Sequence, residues 1–357
     1  MAEHFHALEV AEVIPETDEA VSIRFRVPPD LTDAFKFKAG QHLTLMSVIG
    51  EEEVRRNYSL CTDPASGDVM VTVKRIAGGL FSNWVAEELK PGHRIAVMPP
   101  HGSFTVAFDP AKARRYVGFA GGSGITPIIS LIRTALATEP ESRFTLFYGN
   151  RDSASVIFLE ALADLKDRYM GRFELYHFLA EEEQDIELFN GMLDAATSTR
   201  AVDALVDAPE TVDEWFICGP GPMMDAAESV LLGKGVDAKR IHIERFTAGR
   251  PSAAVAAALQ VAQAEAKGLS VAVTLDGRTR RIEFNGDNIL DSAREAGLPA
   301  PFACKAGVCA TCRAKVTKGK VEMAVHYGLT DEEVEAGYVL TCQSVPVGEG
   351  VAVDYDG

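Results

Sequence analysis

The chain has 357 residues, more than one ordinary hydrophobic core requires, so two or three domains are predicted. Its net charge of −17 argues against a nucleic-acid-binding protein, which would carry a basic surface. No apolar run approaches the roughly 18 residues that a transmembrane helix needs. The start "MAEHFHALEV" lacks the features of a signal peptide. A cytoplasmic location is expected, where clustered cysteines more often bind metal than form disulfides.

Residues 1–110 contain short runs with β-character, separated by glycine and proline, such as "AVSIRFRVP" and "GDVMVTVKRI". This pattern predicts an antiparallel barrel or sandwich. In "RRNYSL", Arg56 is suited to a phosphate, Tyr58 to stacking on a ring system, and Ser59 to a hydrogen bond with that ring. In "GGLFS", amide groups beside Gly79 and the hydroxyl of Ser82 form a second candidate phosphate site. Each motif alone also fits an ordinary strand or turn.

In residues 111–246, apolar strand candidates alternate with helical stretches, for example "YVGFA" before "PIISLIRTALA". The alternation predicts βαβ units on a parallel sheet. In "GFAGGSGITP", Gly122 and Gly124 permit a sharp bend and a close approach to a pyrophosphate, while Thr126 and the helix N-terminus supply donors. The motif is not G-x-G-x-x-G, and many strand–helix turns are rich in glycine for geometry alone.

Two other strand ends support a dinucleotide site in this segment. Arg151, after "YGN", is suited to pair with a 2′-phosphate and thereby to select NADPH over NADH. A solvated surface arginine is the alternative. In "CGPGPMM", Cys218 is placed to lie beside a nicotinamide, and Gly219 would let the ring approach. A buried cysteine with no function beyond packing is the alternative there.

Residues 247–268, "TAGRPSAAVAAALQVAQAEAKG", are small and rich in alanine. They are predicted to be a linker that is partly helical. Residues 269–357, called the third module below, begin with "SVAVTLDGRTRRIEF". This stretch predicts a hairpin around Asp276 and Gly277.

The third module contains four of the six cysteines of the chain. They are Cys304, Cys309 and Cys312, spaced C-x4-C-x2-C, and Cys342 in "VLTCQS". This is the plant-type ligand spacing of a [2Fe–2S] cluster. The small residues Ala306, Gly307 and Ala310 would let backbone N–H groups approach the sulfides. A structural zinc site is the alternative, but zinc sites favour paired C-x2-C units, and only one such unit is present.

A nicotinamide delivers two electrons together as hydride, whereas the cluster accepts one at a time. A flavin is the usual converter between the two, so the motifs of the first segment are interpreted as a flavin site. The sequence therefore predicts a relay from NADPH through a flavin to a [2Fe–2S] cluster. A ferredoxin-type electron carrier fused to inert domains and a zinc-stabilised binding module are the alternatives from other functional classes.

The motif order resembles the ferredoxin–NADP⁺ reductase superfamily with a C-terminal plant-type ferredoxin, over nearly the whole chain. This resemblance implies an antiparallel β-barrel for FAD, an α/β parallel-sheet domain for NAD(P) and an α+β ferredoxin domain of β-grasp fold. The residues that it implies for FAD are Arg56, Tyr58, Ser59, Lys74, Gly79 and Ser82, with Phe246 covering the flavin. Those that it implies for NADPH are Gly122, Gly124, Thr126, Arg151, Cys218 and Gly219. Tyr58, Ser59 and Cys218 would lie at the reacting rings.

Finer details concern the electron acceptor. The stretches "AGQHLTL", "LFYGNR" and "GYVLTCQ" are similar to those of the reductases that serve phenylacetyl-CoA oxygenases of aerobic phenylacetate breakdown. The resemblance implies a diiron oxygenase as the partner, with the multisubunit phenylacetyl-CoA epoxidase as the specific hypothesis. A reductase for another diiron or Rieske oxygenase is the alternative.

Overall fold

The computed structural model describes residues 5–246 and 253–357. Contacts between Cα atoms divide the chain into two compact units. One is built mainly from Arg245–Gly357, and the other from His6–Val54 and Tyr58–Glu244. Within the described ranges, no helix combines the length and the apolar character needed to cross a lipid bilayer.

The first sheet is formed by six antiparallel strands near the N-terminus. Its elements are β1 (His6–Thr17), β2 (Ala20–Arg26), β3 (His42–Ile49), β4 (Glu52–Ser59), β5 (Val69–Lys74) and β6 (Arg94–Val97), with helix α1 (Leu80–Glu88) between β5 and β6. The strand order is β4-β3-β6-β1-β2-β5. An antiparallel bridge between Leu60 and Val71 joins the chain just after β4 to β5. The two edges of the sheet therefore meet, which makes the first sheet a barrel rather than a sandwich.

The second sheet has five strands, all parallel, and confirms the predicted βαβ architecture. Its elements are β7 (Arg115–Gly121), α2 (Ile125–Thr138), β8 (Arg143–Asn150), α3 (Leu159–Arg168), β9 (Phe173–Leu179), α4 (Ala195–Leu205), β10 (Glu214–Cys218), α5 (Gly221–Gly233) and β11 (Ile241–Glu244). The strand order is β11-β10-β7-β8-β9. The order reverses between β7 and β10, and open α/β sheets bind ligands at the carboxyl ends of the strands at such a point.

The third sheet is mixed. Its elements follow helix α6 (Ala253–Ala266) and are β12 (Ser270–Leu275), β13 (Arg278–Glu283), α7 (Ile289–Glu295), β14 (Arg313–Met323), α8 (Asp331–Glu335), β15 (Tyr338–Leu340) and β16 (Ser344–Asp354). The strand order is β13-β12-β16-β14-β15, with β12 and β16 parallel. The predicted β12–β13 hairpin is confirmed, because Asp276 (φ 50°) and Gly277 (φ 70°) both take the left-handed conformation that a type I′ turn requires.

The predicted linker is in part an ordered helix. Residues 247–252 lie outside the described residues, but α6 occupies Ala253–Ala266. Ala266 is buried, and Leu259 and Ala262 pack on the core of the third module. Helix α6 therefore contributes to that hydrophobic core, where the sequence alone indicated little to bury.

Candidate functional site

The glycine-rich loop after β7 packs directly on the end of β10. A Cβ atom at Gly124 would lie 2.0 Å from the carbonyl oxygen of Cys218, and one at Gly219 would lie 2.9 Å from the backbone nitrogen of Gly121. Gly122 has a φ of +50°, which disfavours other residues. The two loops thus meet backbone against backbone at the point where the strand order reverses. This arrangement brings the predicted nucleotide motifs of β7 and β10 together.

Hydrogen bonds hold the glycine-rich loop in shape. The Thr126 hydroxyl donates to the carbonyl oxygen of Ser123 at 2.9 Å, and the Tyr148 hydroxyl donates to that of Gly122 at 3.1 Å. Thr126 is buried. Its hydroxyl proton is engaged inside the loop, so the contact of Thr126 with a phosphate stays a prediction.

The thiol of Cys218 is buried at the carboxyl end of β10, in register with Ala120 of β7 and Glu244 of β11. Burial, and secondarily the negative charge of Glu244, raise the pKa of Cys218 well above its usual value. The thiol is therefore neutral at physiological pH. A neutral thiol is suited to packing against a ligand ring and is a poor nucleophile.

Arg151 directly follows β8 and is half exposed. Its Nε donates to Oδ2 of Asp152 at 3.0 Å, and its Nη1 lies 3.8 Å from Oε1 of Glu19. The other oxygen of Glu19 lies 3.8 Å from Nζ of Lys74. That Nζ is in turn 3.7 Å from the position of a Cβ at Gly122. Lys74, predicted as an FAD contact, thus borders the glycine-rich loop. Glu19 lies between Lys74 and Arg151, and no sequence motif indicated this residue.

Strand β4 carries the first group of predicted FAD residues. Arg56 is exposed, and Tyr58 is half-buried with its ring centroid 5.8 Å from that of Phe81. Ser59 is buried, and its hydroxyl has no hydrogen-bond partner among the described residues. Buried hydroxyls are nearly always paired. An unpaired one at this strand end fits a polar atom of a bound ligand, which is the role predicted for Ser59 toward a flavin.

The second predicted phosphate site precedes helix α1, which begins at Leu80. The Ser82 hydroxyl accepts a hydrogen bond from the backbone nitrogen of Ile76 at 3.1 Å. The backbone nitrogen of Gly79 donates to the carbonyl oxygen of Ile76 at 2.9 Å. Both predicted groups therefore fix the turn before α1, and their contact with FAD stays a prediction.

Phe246 lies two residues after β11. Its side chain is 39 % exposed, which is unusual for a large aromatic residue. The exposure is compatible with a ring that covers a ligand, and the flavin-covering role stays a prediction.

The cysteines of the third module form two pairs. All six cysteines of the chain are free thiols. A hydrogen bond between Cys304 and Cys309 raises the pKa of Cys304 and lowers that of Cys309. A hydrogen bond between Cys312 and Cys342 likewise raises the pKa of Cys312 and lowers that of Cys342. In the described ranges, no three histidine, cysteine or acidic side chains are arranged to hold one metal ion. Two thiol pairs fit a binuclear cluster, in which each iron takes two of the four thiolates.

The loop that carries three of these cysteines has an unusual backbone. Lys305 (φ 52°) and Ala310 (φ 54°) take the left-handed conformation, although neither is glycine. The backbone nitrogen of Ala306 donates to Sγ of Cys304 at 3.3 Å, and that of Cys304 donates to Sγ of Cys309 at 3.5 Å. Such N–H groups around the sulfurs stabilise a negatively charged cluster. The strained loop thus fits the group that the cysteine spacing predicts.

One cavity lies away from these motifs. It is lined by Arg115, Arg143 and Arg172, near the amino ends of the parallel strands. Parallel α/β sheets bind their ligands at the carboxyl ends, so this cavity is not part of the candidate site.

Three family models match the chain in series. They are the oxidoreductase FAD-binding domain over residues 8–106, the oxidoreductase NAD-binding domain over residues 119–229, and the 2Fe-2S iron-sulfur cluster binding domain over residues 273–347. These three matches fall within the barrel, the parallel-sheet domain and the four-cysteine module, in that order.

Several relatives are similar along their whole length. The chain is 45% identical to a component protein of the 1,2-phenylacetyl-CoA epoxidase of Escherichia coli (strain K12), over 99% of this chain and 98% of the relative. It is 38% identical to the ferredoxin reductase component of 3-ketosteroid-9-alpha-monooxygenase of Mycobacterium tuberculosis (strain ATCC 25618 / H37Rv), over 100% of this chain and 97% of the relative. It is 33% identical to the glycine betaine monooxygenase reductase subunit of Pseudomonas aeruginosa (strain UCBPP-PA14), over 98% and 95%.

Among solved structures, phthalate dioxygenase reductase has the same fold, with a TM-score of 0.61 and 22% identity over 98% of both chains. An intact type IV self-sufficient cytochrome P450 monooxygenase matches with a TM-score of 0.72 and 23% identity, over 98% of this chain and 41% of that one. The chain is thus an oxidoreductase with FAD-binding, NAD-binding and [2Fe–2S] domains. It belongs to the ferredoxin–NADP⁺ reductase superfamily, among the oxygenase reductases that carry a C-terminal [2Fe–2S] domain.

Proposed function

We propose that this chain takes electrons from NADPH and passes them through FAD and a [2Fe–2S] cluster to a diiron oxygenase, the phenylacetyl-CoA epoxidase. The observation that carries the proposal is the 45% identity to a component protein of that enzyme along the whole chain. We further propose that residues 1–110 bind FAD, residues 111–246 bind NADPH, and residues 269–357 hold the cluster. A cytoplasmic location completes the proposal, since cluster thiolates must stay reduced.

At the NADPH side, the residues of the chain position the nucleotide and contribute no reactive group. Gly124 and Gly219 let the loops after β7 and β10 pack backbone against backbone, which shapes the strand ends where a nicotinamide would bind. The neutral thiol of Cys218 at the end of β10 would lie beside that ring without attacking it. The FAD, when bound, supplies the conversion of a hydride into single electrons.

At the FAD side, Ser59 is the residue whose role the geometry supports best. Its buried hydroxyl would find in the flavin the partner that the described residues do not provide. Tyr58, packed on Phe81, would present its ring to the flavin from the same strand. Both residues would then orient the flavin for hydride transfer.

For Ser59→Ala, we expect the rate at which NADPH reduces the bound FAD to fall about fivefold, since one hydrogen bond contributes about 1 kcal/mol. FAD content should stay close to one per chain. Stopped-flow absorbance of the flavin measures the rate. Ser198→Ala is the matched control and should leave the rate unchanged, because the hydroxyl of Ser198 in α4 is also buried and has no partner in the part of the chain that the structure describes. An unchanged rate in Ser59→Ala would remove this role.

For Arg151→Ala, we expect KM for NADPH to rise about tenfold or more while KM for NADH changes little, because only NADPH carries the 2′-phosphate. Steady-state reduction of ferricyanide with each nucleotide measures both constants. Arg168→Ala, which removes an exposed arginine from α3, controls for the loss of one positive charge. Equal effects on the two nucleotides would refute the 2′-phosphate assignment.

The partner is tested by reconstitution. The chain, NADPH and the oxygenase components of phenylacetyl-CoA epoxidase should together support oxygen-dependent turnover of phenylacetyl-CoA. The 3-ketosteroid monooxygenase, served by a relative at 38% identity, provides the comparison oxygenase. Turnover with that oxygenase alone would reject the phenylacetyl-CoA partner. Ferricyanide reduction without any oxygenase turnover would leave the reductase activity and remove the specific partner.

A further inference from the structure

Glu19 occupies a fixed position between two cations of the candidate nucleotide site. It lies in the turn between β1 and β2, where its backbone nitrogen donates to Oγ1 of Thr17 at 3.2 Å. Its carbonyl oxygen accepts from the backbone nitrogen of Arg75 at 2.6 Å. The backbone of Glu19 is thus tied to the barrel, and its carboxylate extends toward Arg151 and Lys74.

Arg151 is the group that would meet a 2′-phosphate, and it already has negatively charged neighbours. Asp152 accepts from its Nε, and Glu19 lies 3.8 Å from its Nη1. Oε2 of Glu182 accepts a hydrogen bond from the backbone nitrogen of Ser153 at 2.7 Å, which places a third carboxylate at the turn that follows Arg151. A phosphate dianion that approaches Arg151 must therefore compete with these carboxylates.

Of these acids, Glu19 is the one placed to act on specificity. Asp152 is committed to its own turn, because its Oδ1 accepts from the backbone nitrogen of Ser155 at 2.8 Å. Among the described residues, the charged partners of the Glu19 carboxylate are Arg151 and Lys74, each at a long distance of 3.8 Å. Exposed pairs at such distances are weak, so a phosphate can displace Glu19. The displaced charge still repels the phosphate, whereas it has little effect on the neutral 2′-hydroxyl of NADH.

We infer that Glu19 is a specificity-determining residue that competes with the 2′-phosphate for Arg151 and limits the preference for NADPH over NADH. The inference rests on the proposed nucleotide site. Under this inference, a residue of the barrel controls how tightly the neighbouring parallel-sheet domain binds its nucleotide. Replacing Glu19 by glutamine keeps its size and removes its charge, and this change should favour NADPH.

The test uses the full chain, loaded with FAD and cluster, and two fragments as probes: adenosine 2′,5′-bisphosphate and AMP. For Glu19→Gln, we expect Kd for the bisphosphate to fall about threefold in calorimetry and Kd for AMP to stay unchanged, in line with one repulsive charge removed. The KM ratio of NADPH to NADH should fall by the same factor. Glu12→Gln is the matched control, since Glu12 lies in the middle of β1 and pairs with Arg24 at 3.2 Å; it should not change the Kd of either probe.

Glu19→Gln in the Arg151→Ala background separates the role of Glu19 from the assignment of the 2′-phosphate to Arg151. If Glu19 acts mainly by competing for Arg151, the effect of Glu19→Gln should be clearly smaller there, with only the direct charge repulsion left. This inference alone would be overturned if Arg151→Ala selectively weakened binding of the bisphosphate while Glu19→Gln left its Kd unchanged in the native background. Equal weakening of both probes in Arg151→Ala would instead overturn the 2′-phosphate site. Equal changes of both probes in Glu19→Gln, or the same shift in Glu12→Gln, would also overturn the role of Glu19.

Discussion

Cys309→Ser is expected to remove the [2Fe–2S] cluster and with it the transfer of electrons to the oxygenase. Cys309 is buried, and it forms one of the two thiol pairs with Cys304. Serine is a much weaker iron ligand because its hydroxyl deprotonates far less readily than a thiol. Iron and acid-labile sulfide should fall from about two of each per chain to near zero. Oxygenase-coupled turnover should fall by about 100-fold or more.

The flavin part of the relay should survive that change. The family-model matches for FAD and NAD binding end at residues 106 and 229, well before the cysteine loop. NADPH should therefore still reduce ferricyanide through FAD at close to the native rate. Metal analysis, the visible spectrum and the two activities, measured on one preparation, separate loss of the cluster from loss of the fold.

Cys61→Ser is the matched control for Cys309→Ser. Cys61 is buried in the barrel region, where its thiol donates to the carbonyl oxygen of Met70 at 3.4 Å, and burial raises its pKa to about 11. It has no place in the four-cysteine module, so Cys61→Ser should retain iron and sulfide. Full cluster content in Cys309→Ser would reject the ligand assignment. One zinc per native chain, in place of iron and sulfide, would support the structural zinc site.

Much of the architecture follows from local patterns. The parallel sheet was predictable because each apolar strand is followed by a helical stretch, as in "YVGFA" and "PIISLIRTALA". The β12–β13 hairpin was predictable because Asp276 and Gly277 suit a type I′ turn. The four cysteines stand at a spacing that few structures require. In each case the pattern lies within a short stretch of sequence, except that Cys342 follows Cys312 by 30 residues.

Other features arise only when distant segments meet. Glu19 is an ordinary turn residue in the sequence, and its proximity to Arg151 depends on packing between the barrel and the parallel sheet. Lys74 is at the end of a barrel strand, yet its amine borders Gly122. Helix α6 has small side chains that suggested a linker, but Leu259 and Ala262 find a partner in the third module. No local pattern encodes these tertiary contacts.

Gly124→Ala is expected to abolish productive use of NADPH. The added Cβ would lie 2.0 Å from the carbonyl oxygen of Cys218 and 2.4 Å from its carbonyl carbon. Both atoms belong to the backbone of β10, so neither can rotate away as a side chain would. The loop or the strand end must shift, and overpacking of this kind destabilises a protein by about 1–3 kcal/mol or more. Reduction of FAD by NADPH should slow by about 100-fold or more.

The measurement compares NADPH with dithionite as the reductant, because dithionite needs no nucleotide site. Dithionite should reduce FAD and cluster normally in Gly124→Ala, while the thermal unfolding midpoint of the nucleotide domain falls. Gly221→Ala is the matched control, at the first residue of α5 and three residues after Cys218. A Cβ there meets no atom of the described residues within 4 Å, and alanine in a helix is more favourable than glycine by up to about 1 kcal/mol. If Gly124→Ala resembled Gly221→Ala in stability and rate, the backbone contact between the two loops would not exist, and the nucleotide site would have to lie elsewhere.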